Sequence, residues 1–270
     1  MNDNPGVRRP KDNWANGELY ERYVGRWSRP VAREFLTWLA VPAGGQWLDV
    51  GCGTGALSQT ILEAAQPAGV TALDRSDAFI DFARSRIADE RMRFEVRDAQ
   101  TLRSDIGPFD AIVSGLVLNF VPQPDQALAG MKRVARTGGL VAAYVWDYAE
   151  GMQLMRHFWD AAVALDPNVN EIDEVKRFPH SRPDPLKRLF QEAGLHDVEV
   201  IPIEVPTVFQ DFDDYWSPFL GGQGPAPSYA MSLDEETRST LREKIRTELP
   251  IQPDGSIHLN ARAWGIKGTR

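Results

Sequence analysis

Between Gln46 and Trp146 the apolar positions fall into short runs separated by stretches with helical spacing. Trp47-Leu48-Asp49-Val50 is one run, and Ala56–Leu62 after it carries its apolar residues at the spacing of a helix face. Gly69–Leu73 is a second run, ahead of Phe79, Phe82 and Ala83; Arg91–Val96 is a third and Phe109–Ser114 a fourth. Ala127, Leu128, Met131 and Val134 mark a helix before a fifth run, Leu140–Trp146, which Gly138-Gly139 introduces. Short apolar runs bounded by turns predict strands, and their alternation with helices predicts a parallel sheet with right-handed crossovers. Upstream, Val31, Phe35, Leu36 and Leu39 predict a helix within residues 18–40, while residues 1–13, polar with Pro and Gly, read as loose. Downstream, His196–Val205 and Ile257–Gly265 predict two further strands. Internal repeats and low-complexity stretches are absent from the pattern.

Two segments exceed what such a sheet needs, and both follow predicted strands. Asp147–Asp184 holds Tyr148, Met152, Met155, Phe158, Trp159 and Phe178 just after Trp146. Gln210–Asp254 holds Phe212, Tyr215, Trp216 and Phe219, a turn-rich stretch from Gly221 to Pro227, and a helix for which Ser232 and Glu235 form a capping box. Ligands of open α/β sheets bind beyond the carboxyl ends of the strands. Trp146, Tyr148, Trp216 and Phe219 are therefore candidates to line an apolar substrate pocket; the alternative is that the aromatics form the small core of a lid.

Composition narrows the class. With 270 residues, 43% hydrophobic and 25% charged, the chain suits one globular α/β domain with additions. No stretch approaches the roughly eighteen apolar residues of a membrane span, and the first residues lack the apolar segment of a secretory signal. Cys52 is the only cysteine, so no internal disulfide is possible. These features together predict a cytoplasmic protein. A net charge of −8, with Arg and Lys scattered, argues against nucleic acid as a partner.

The candidate chemistry centres on Trp47–Gly55, WLDVGCGTG, an apolar strand ending in Asp49 and running into glycines at 51, 53 and 55. Glycines permit positive φ and let a ligand approach the backbone, and the helix that follows offers free N–H groups. A dinucleotide loop reads G-x-G-x-x-G; here the spacing is G-x-G-x-G with an acid two residues before it. The second run ends in Asp74, about twenty residues beyond the glycines, where an acid holds the ribose hydroxyls of a nucleoside. Ser76 is placed to cap the next helix. The third run leads into Asp98 and Ala99, and the fourth ends at Ser114.

This series resembles the motifs of class I S-adenosylmethionine (SAM) dependent methyltransferases, in particular small-molecule enzymes similar to those of quinone biosynthesis. The resemblance covers roughly residues 15–268. It implies a doubly wound, Rossmann-like, seven-stranded, mostly parallel sheet with an antiparallel last strand. It also implies a single domain over residues 1–270, with a core of about 15–146 and 183–268. A helical cap would come from insertions at about 147–184 and 210–254. SAM would be the cofactor, held by Asp49, Gly51, Gly53, Gly55, Asp74, Arg75, Asp98, Ala99 and Ser114. Tyr20 and Arg26 would fold over its methionine end, with Tyr23 nearby. In the family an acid at the position of Asp98 accepts from the adenine amine, and the backbone N–H of the next residue, Ala99, reaches the ring. Ser114-Gly115-Leu116-Val117 stands where DNA amino-methyltransferases carry Asn/Asp-Pro-Pro-aromatic, which disfavours base methylation. The expected reaction is in-line methyl transfer to a small, apolar or aromatic metabolite. The alternatives are a SAM-binding regulatory or scaffold protein, or a protein or RNA acceptor.

His157 and His180 fall in the first insertion and are the candidate general bases, while His196 and His258 read as structural. No Cys/His cluster has metal-ligand spacing, so no metal is expected.

Overall fold

A computed structural model describes residue 18 and residues 21–222 and 224–270. The described residues divide into two compact units, one of residues 25–146, 180–203 and 263–270 and the other of the described residues up to 24, of residues 147–179 and of those described within 204–262.

The first unit is built on β1 (Gln46–Val50), β2 (Gly69–Asp74), β3 (Met92–Val96), β4 (Phe109–Gly115), β5 (Ala135–Trp146), β6 (His196–Phe209) and β7 (Ile257–Thr269), the last two running on into the second unit. The strand order is β3-β2-β1-β4-β5-β7-β6. Strands β1 to β5 are parallel neighbours, and β7 pairs antiparallel with β5. The chain thus winds outward from β1 in one direction and, after β3, resumes at β4 on the other side. That reversal leaves a crevice at the carboxyl ends of β1 and β4, where open α/β sheets bind ligands.

Helices α1 (Arg26–Leu39), α2 (Ala56–Ala64), α3 (Asp77–Arg86), α4 (Pro124–Val134) and α5 (Pro183–Glu192) cover the sheet. Side chains alternate along a strand, and the two sets are legible on β5. Val141, Ala143 and Val145 join Leu128, Met131 and Val134 of α4 and Leu186, Leu189 and Phe190 of α5 in one core. Tyr144, of the opposite parity, meets Phe35 of α1 with ring centroids 4.8 Å apart. On β1, Leu48 and Val50 belong to the first core, while Asp49, of opposite parity, meets Ser58 of α2. Helices on both faces explain why these strands read as nearly unbroken apolar runs.

Local signals account for most ends. Ser76 Oγ accepts from the Phe79 N–H and starts α3, as expected. Four expectations need correction, the last of them at β6. β5 begins at Ala135, ahead of the Gly138-Gly139 turn, because Ala135 pairs with Phe109 across an irregularity in the β4 register and Arg136 pairs with Asp110. β7 runs past Gly265 to Thr269, since Ile266–Thr269 stay paired with Leu140–Ala143. Ser232 caps nothing: its hydroxyl donates to the Tyr229 carbonyl, and Asp234 caps helix Glu235–Glu248 by accepting from the Thr237 N–H at 2.8 Å. Asp234 wins because it stands immediately before the helix, where its carboxylate reaches the free N–H and complements the positive helix end.

β6 is an edge strand that continues to Phe209, beyond the expected Val205, and presents Pro202 and Pro206 at exposed positions.

The second unit is organised around helix Gln153–Leu165, with shorter helices at Glu174–Arg177, Phe212–Trp216 and Pro225–Ser232 and the longer Glu235–Glu248. Its centre is aromatic. Phe219 stacks on Phe158 at 4.5 Å and meets Tyr23 and Tyr215, each at 5.6 Å; Phe158 meets Trp159 edge-on at 5.3 Å. Phe158 and Trp159, neighbours on one helix, are both buried. The Trp159 indole N–H donates to the buried carboxylate of Glu174, and Arg156 forms a two-pronged pair with Asp173, with both distances 3.0 Å.

Candidate functional site

The loop after β1 assigns a different task to each of its three glycines. Gly51, Gly53 and Gly55 all take positive φ, at 79°, 53° and 87°. A Cβ on Gly51 would lie 2.5 Å from a Val117 methyl, and one on Gly55 2.7 Å from Ile87 Cδ1, so both are glycine for packing as well as for backbone reasons. A Cβ on Gly53 would meet nothing within 4 Å. The open face of the loop is therefore at Gly53.

Asp74 at the end of β2 is tied to that loop. Its Oδ2 accepts from the Gly53 N–H at 3.0 Å and its Oδ1 from the Ser76 N–H at 2.9 Å. Partial burial raises its pKa, and these N–H groups pull the other way. Each oxygen retains lone-pair capacity for a further donor. Asp49 is wholly buried; its Oδ2 accepts from Ser58 Oγ at 2.6 Å and its Oδ1 has no partner. Burial pushes its pKa up to about 7 against the opposing Ser58 hydrogen bond, with Asp74 adding to the rise.

The other expected positions follow the strand ends. Asp98, after β3, caps a short 3₁₀ turn beginning at Ala99 by accepting from the Gln100 N–H at 2.8 Å. Ser114 is buried on β4 and donates to the Val50 carbonyl at 2.9 Å, which ties β4 to β1 beside the loop. Arg75 is exposed. Arg26 opens α1 with its guanidinium 4.5 Å from the centre of the Trp27 ring. Tyr20 lies outside the described residues. Trp146, at the end of β5, is 2% exposed and its indole N–H is buried without a partner.

Asn119 escaped the sequence reading. It sits in the 3₁₀ turn after β4, and its Oδ1 is buried and unpartnered. Thus Asp49 near the end of β1, Asn119 after β4 and Trp146 at the end of β5 each bring an unsatisfied polar atom to the carboxyl edge of the sheet. Such atoms are rare in protein interiors and each calls for an explanation. The sequence signal for Asn119 was a lone amide among Leu116, Val117, Leu118, Phe120 and Val121, with no glycine or acid pattern to mark it.

Tyr148, Trp216 and Phe219 belong to the second unit and are 3%, 5% and 0% exposed. Tyr148 lies against Phe178 at 5.3 Å and Trp216 against Phe219 at 5.9 Å. Tyr23 is also there, its hydroxyl buried without a partner; burial, then the nearby Glu174, raises its pKa well above the ordinary value. His157 is on helix Gln153–Leu165 of this unit, and burial holds its pKa below the ordinary value despite Asp160 and Glu248. His180 belongs to the first unit and its Nδ1 is buried without a partner. Among the described residues no cluster could hold a metal ion, and no helix is long and apolar enough to cross a membrane.

Residues 48–139, from β1 to the turn within β5, match the methyltransferase domain family. The chain is 30% identical over 135 residues to trans-aconitate 2-methyltransferase of Variovorax paradoxus, covering 50% of this chain and 51% of that enzyme. It is 27% identical over 186 residues to demethylmenaquinone methyltransferase of Staphylococcus aureus, covering 64% of this chain and 76% of that enzyme. Residues 48–139 thus carry a methyltransferase domain, and these matches support a class I SAM-dependent methyltransferase. The fold of this methyltransferase is shared with phosphoethanolamine N-methyltransferase 2 of Haemonchus contortus, at a TM-score of 0.59 and 14% identity over 96% of this chain and 57% of that one. It is also shared with a protein described as a methyltransferase from an antibiotic biosynthesis pathway of Anabaena variabilis, at 0.62 and 18% over 87% and 95%. SAM is the cofactor of this methyltransferase. The residues present fit that group: an open glycine over a helix N-terminus, a carboxylate with spare acceptor capacity at the end of β2, and an orphaned buried oxygen on Asp49.

The loop geometry makes a contrast that substitution can read. Gly51→Ala should destabilise the fold by about 1–3 kcal/mol for overpacking plus about 1–2 kcal/mol for the left-handed backbone. Gly53→Ala should cost only the backbone part yet weaken SAM, because its methyl points into open space. Urea unfolding and SAM titration of both proteins check this; undiminished SAM binding by Gly53→Ala would remove Gly53 from the ligand face.

Proposed function

We propose that this methyltransferase transfers the methyl group of SAM to a small, largely apolar or aromatic metabolite. Bound SAM supplies a methyl carbon on a sulfonium, whose thioether is a good leaving group. The work of the chain is then to hold donor and acceptor in line, worth about 7–11 kcal/mol where alignment is complete. Asp74 would take the ribose hydroxyls on its remaining lone pairs, and Asp98 with the Ala99 N–H would take the adenine. Gly51, Gly53, Gly55, Asp49 and Ser114 would shape the floor of the methionine end, with Arg26 as partner for its carboxylate.

The aromatic cluster of the second unit carries the acceptor reading. It places Tyr148, Trp216 and Phe219 among aromatic rings in residues beyond what the sheet requires, and Trp146 brings an unpartnered indole N–H at the end of β5. A net charge of −8 disfavours nucleic acid as the acceptor. Relatives named for trans-aconitate and demethylmenaquinone support a small molecule. If the acceptor must lose a proton, His157, whose pKa burial lowers, and His180, with its unpartnered Nδ1, are the groups that could take it.

Methyl-labelled SAM, incubated with the purified protein and separated metabolite, protein and RNA fractions of a lysate, tests the reading. Label is expected in a small, organic-extractable product, and Tyr148→Ala should raise the Michaelis constant for that acceptor while SAM affinity stays near wild type. Label confined to protein or RNA would overturn the substrate class, and binding of SAM with no labelled product in any fraction would favour a regulatory role.

A further inference from the structure

The second unit contains a surface cavity that cofactor chemistry leaves unused. It encloses about 250 Å³ and is lined by Trp216, Leu220, Met231 and, from helix Glu235–Glu248, Glu235, Arg238, Ser239 and Arg242. Arg238 and Arg242 are four residues apart, so they share one face of that helix. Leu220 and Met231 are 44% and 47% exposed, unusually open for large apolar side chains beside two cations.

The arginines are held while their carboxylate partners are loose. Arg238 donates to the Leu233 carbonyl at 3.2 Å and pairs with Glu235; its side chain is 20% exposed and that of Glu235 82%. Arg242, 30% exposed, pairs with Asp213 and Glu243, which are 80% and 60% exposed. The Phe212 ring also lies 5.0 Å beneath the Arg242 guanidinium. Ion pairs with such exposed carboxylates contribute little and exchange with solvent, and each guanidinium has N–H donors beyond those used here. The arginine stems are fixed, their anions can be displaced, and an apolar floor adjoins them.

We propose that this cavity binds an amphipathic monocarboxylate, its carboxylate bridging Arg238 and Arg242 and its short acyl or aryl body lying on Trp216, Leu220 and Met231. The volume falls just below the roughly 300–1,000 Å³ of small-molecule sites, which limits the body to a short chain or a single ring. An alkylammonium would have to face two part-buried cations, and an inorganic anion would leave the apolar floor wet. The proposal does not depend on methyl transfer, since the site can be loaded without SAM.

Calorimetric titration of the full chain, without SAM, compares octanoate with octanol and octylammonium below their micelle-forming concentrations. Saturable octanoate binding about tenfold or more tighter than octanol is expected, from charge-assisted hydrogen bonds to two arginines, with no binding of octylammonium. The double variant Arg238→Gln/Arg242→Gln should lower octanoate affinity to the octanol level. Met231→Glu, at an exposed position where folding is not at risk, should abolish octanoate binding; SAM binding verifies that each variant is folded. No saturable octanoate binding, equal affinities for the three ligands, or unchanged octanoate binding by Met231→Glu would each overturn the site.

Discussion

Asp49→Asn should flatten the dependence of stability on pH and leave the ligand-free protein more stable than wild type at pH 8. The carboxyl group is wholly buried, with one oxygen on Ser58 and the other unpartnered, and its pKa is pushed up to about 7. In the unfolded chain it titrates at the ordinary value, near 3.8. Between those values the folded state holds a proton that the unfolded state has lost, so stability falls as pH rises. The loss begins above about pH 4 and is complete above about pH 7. It amounts to at most about 4 kcal/mol, at about 1.4 kcal/mol per pH unit. Asparagine copies the protonated shape and can still accept from Ser58, so it removes the slope. Urea unfolding of both proteins at pH 5 and pH 8 measures this directly. Equal pH slopes for the two would mean that the folded protein accommodates an ionised Asp49 without cost. Wild type tolerates this buried acid because, by our reading, ionised Asp49 serves the cofactor end of the site.

Asp74→Ala is expected to weaken SAM by about 1–3 kcal/mol, the range for removing a buried hydrogen-bond partner, or roughly 5–150-fold. Because its carboxylate also accepts from Gly53 and Ser76, a fall in affinity alone would not separate a ribose contact from a loosened loop. A 2′-deoxyribose analogue of the cofactor separates them. Wild type should discriminate against the analogue, and the variant should bind both alike at its reduced affinity. If the variant keeps full discrimination, Asp74 acts only by shaping the loop. Asp98→Ala should have a smaller effect, since the Ala99 N–H remains.

The parts of this molecule that could be read without coordinates are those governed by one local rule. Parallel strands covered on both faces give apolar runs, which is why β1 to β4 fell where expected, and Ser76 announced itself as a cap by position. Longer-range pairing was less visible. Ala135 belongs to β5 only because Phe109 is opposite it and Asp110 pairs with Arg136, and residues 266–269 extend β7 because β5 continues alongside. At helix Glu235–Glu248 two polar residues competed for one cap, and reach and charge favoured Asp234 over Ser232. On the site side, glycine spacing and strand-end acids marked the cofactor loop. Asn119 and the paired arginines 238 and 242 carry no such spacing. Their significance lies in what surrounds them: an amide oxygen left without a donor, and guanidiniums beside an apolar floor.

The prolines of β6 bear on how this protein behaves at high concentration. An outermost strand of fourteen residues with free main-chain groups would be a template for a second molecule to extend the sheet, the route by which β proteins form fibrils and inclusion bodies. Prolines within sheets are confined to edges where the missing N–H would face solvent, so Pro202 and Pro206, both exposed and four residues apart, interrupt the ladder an incoming strand could join. Sheet growth is thereby hindered along β6, and refolding from denaturant at high protein concentration should be tolerated better with both prolines than with valine in their place.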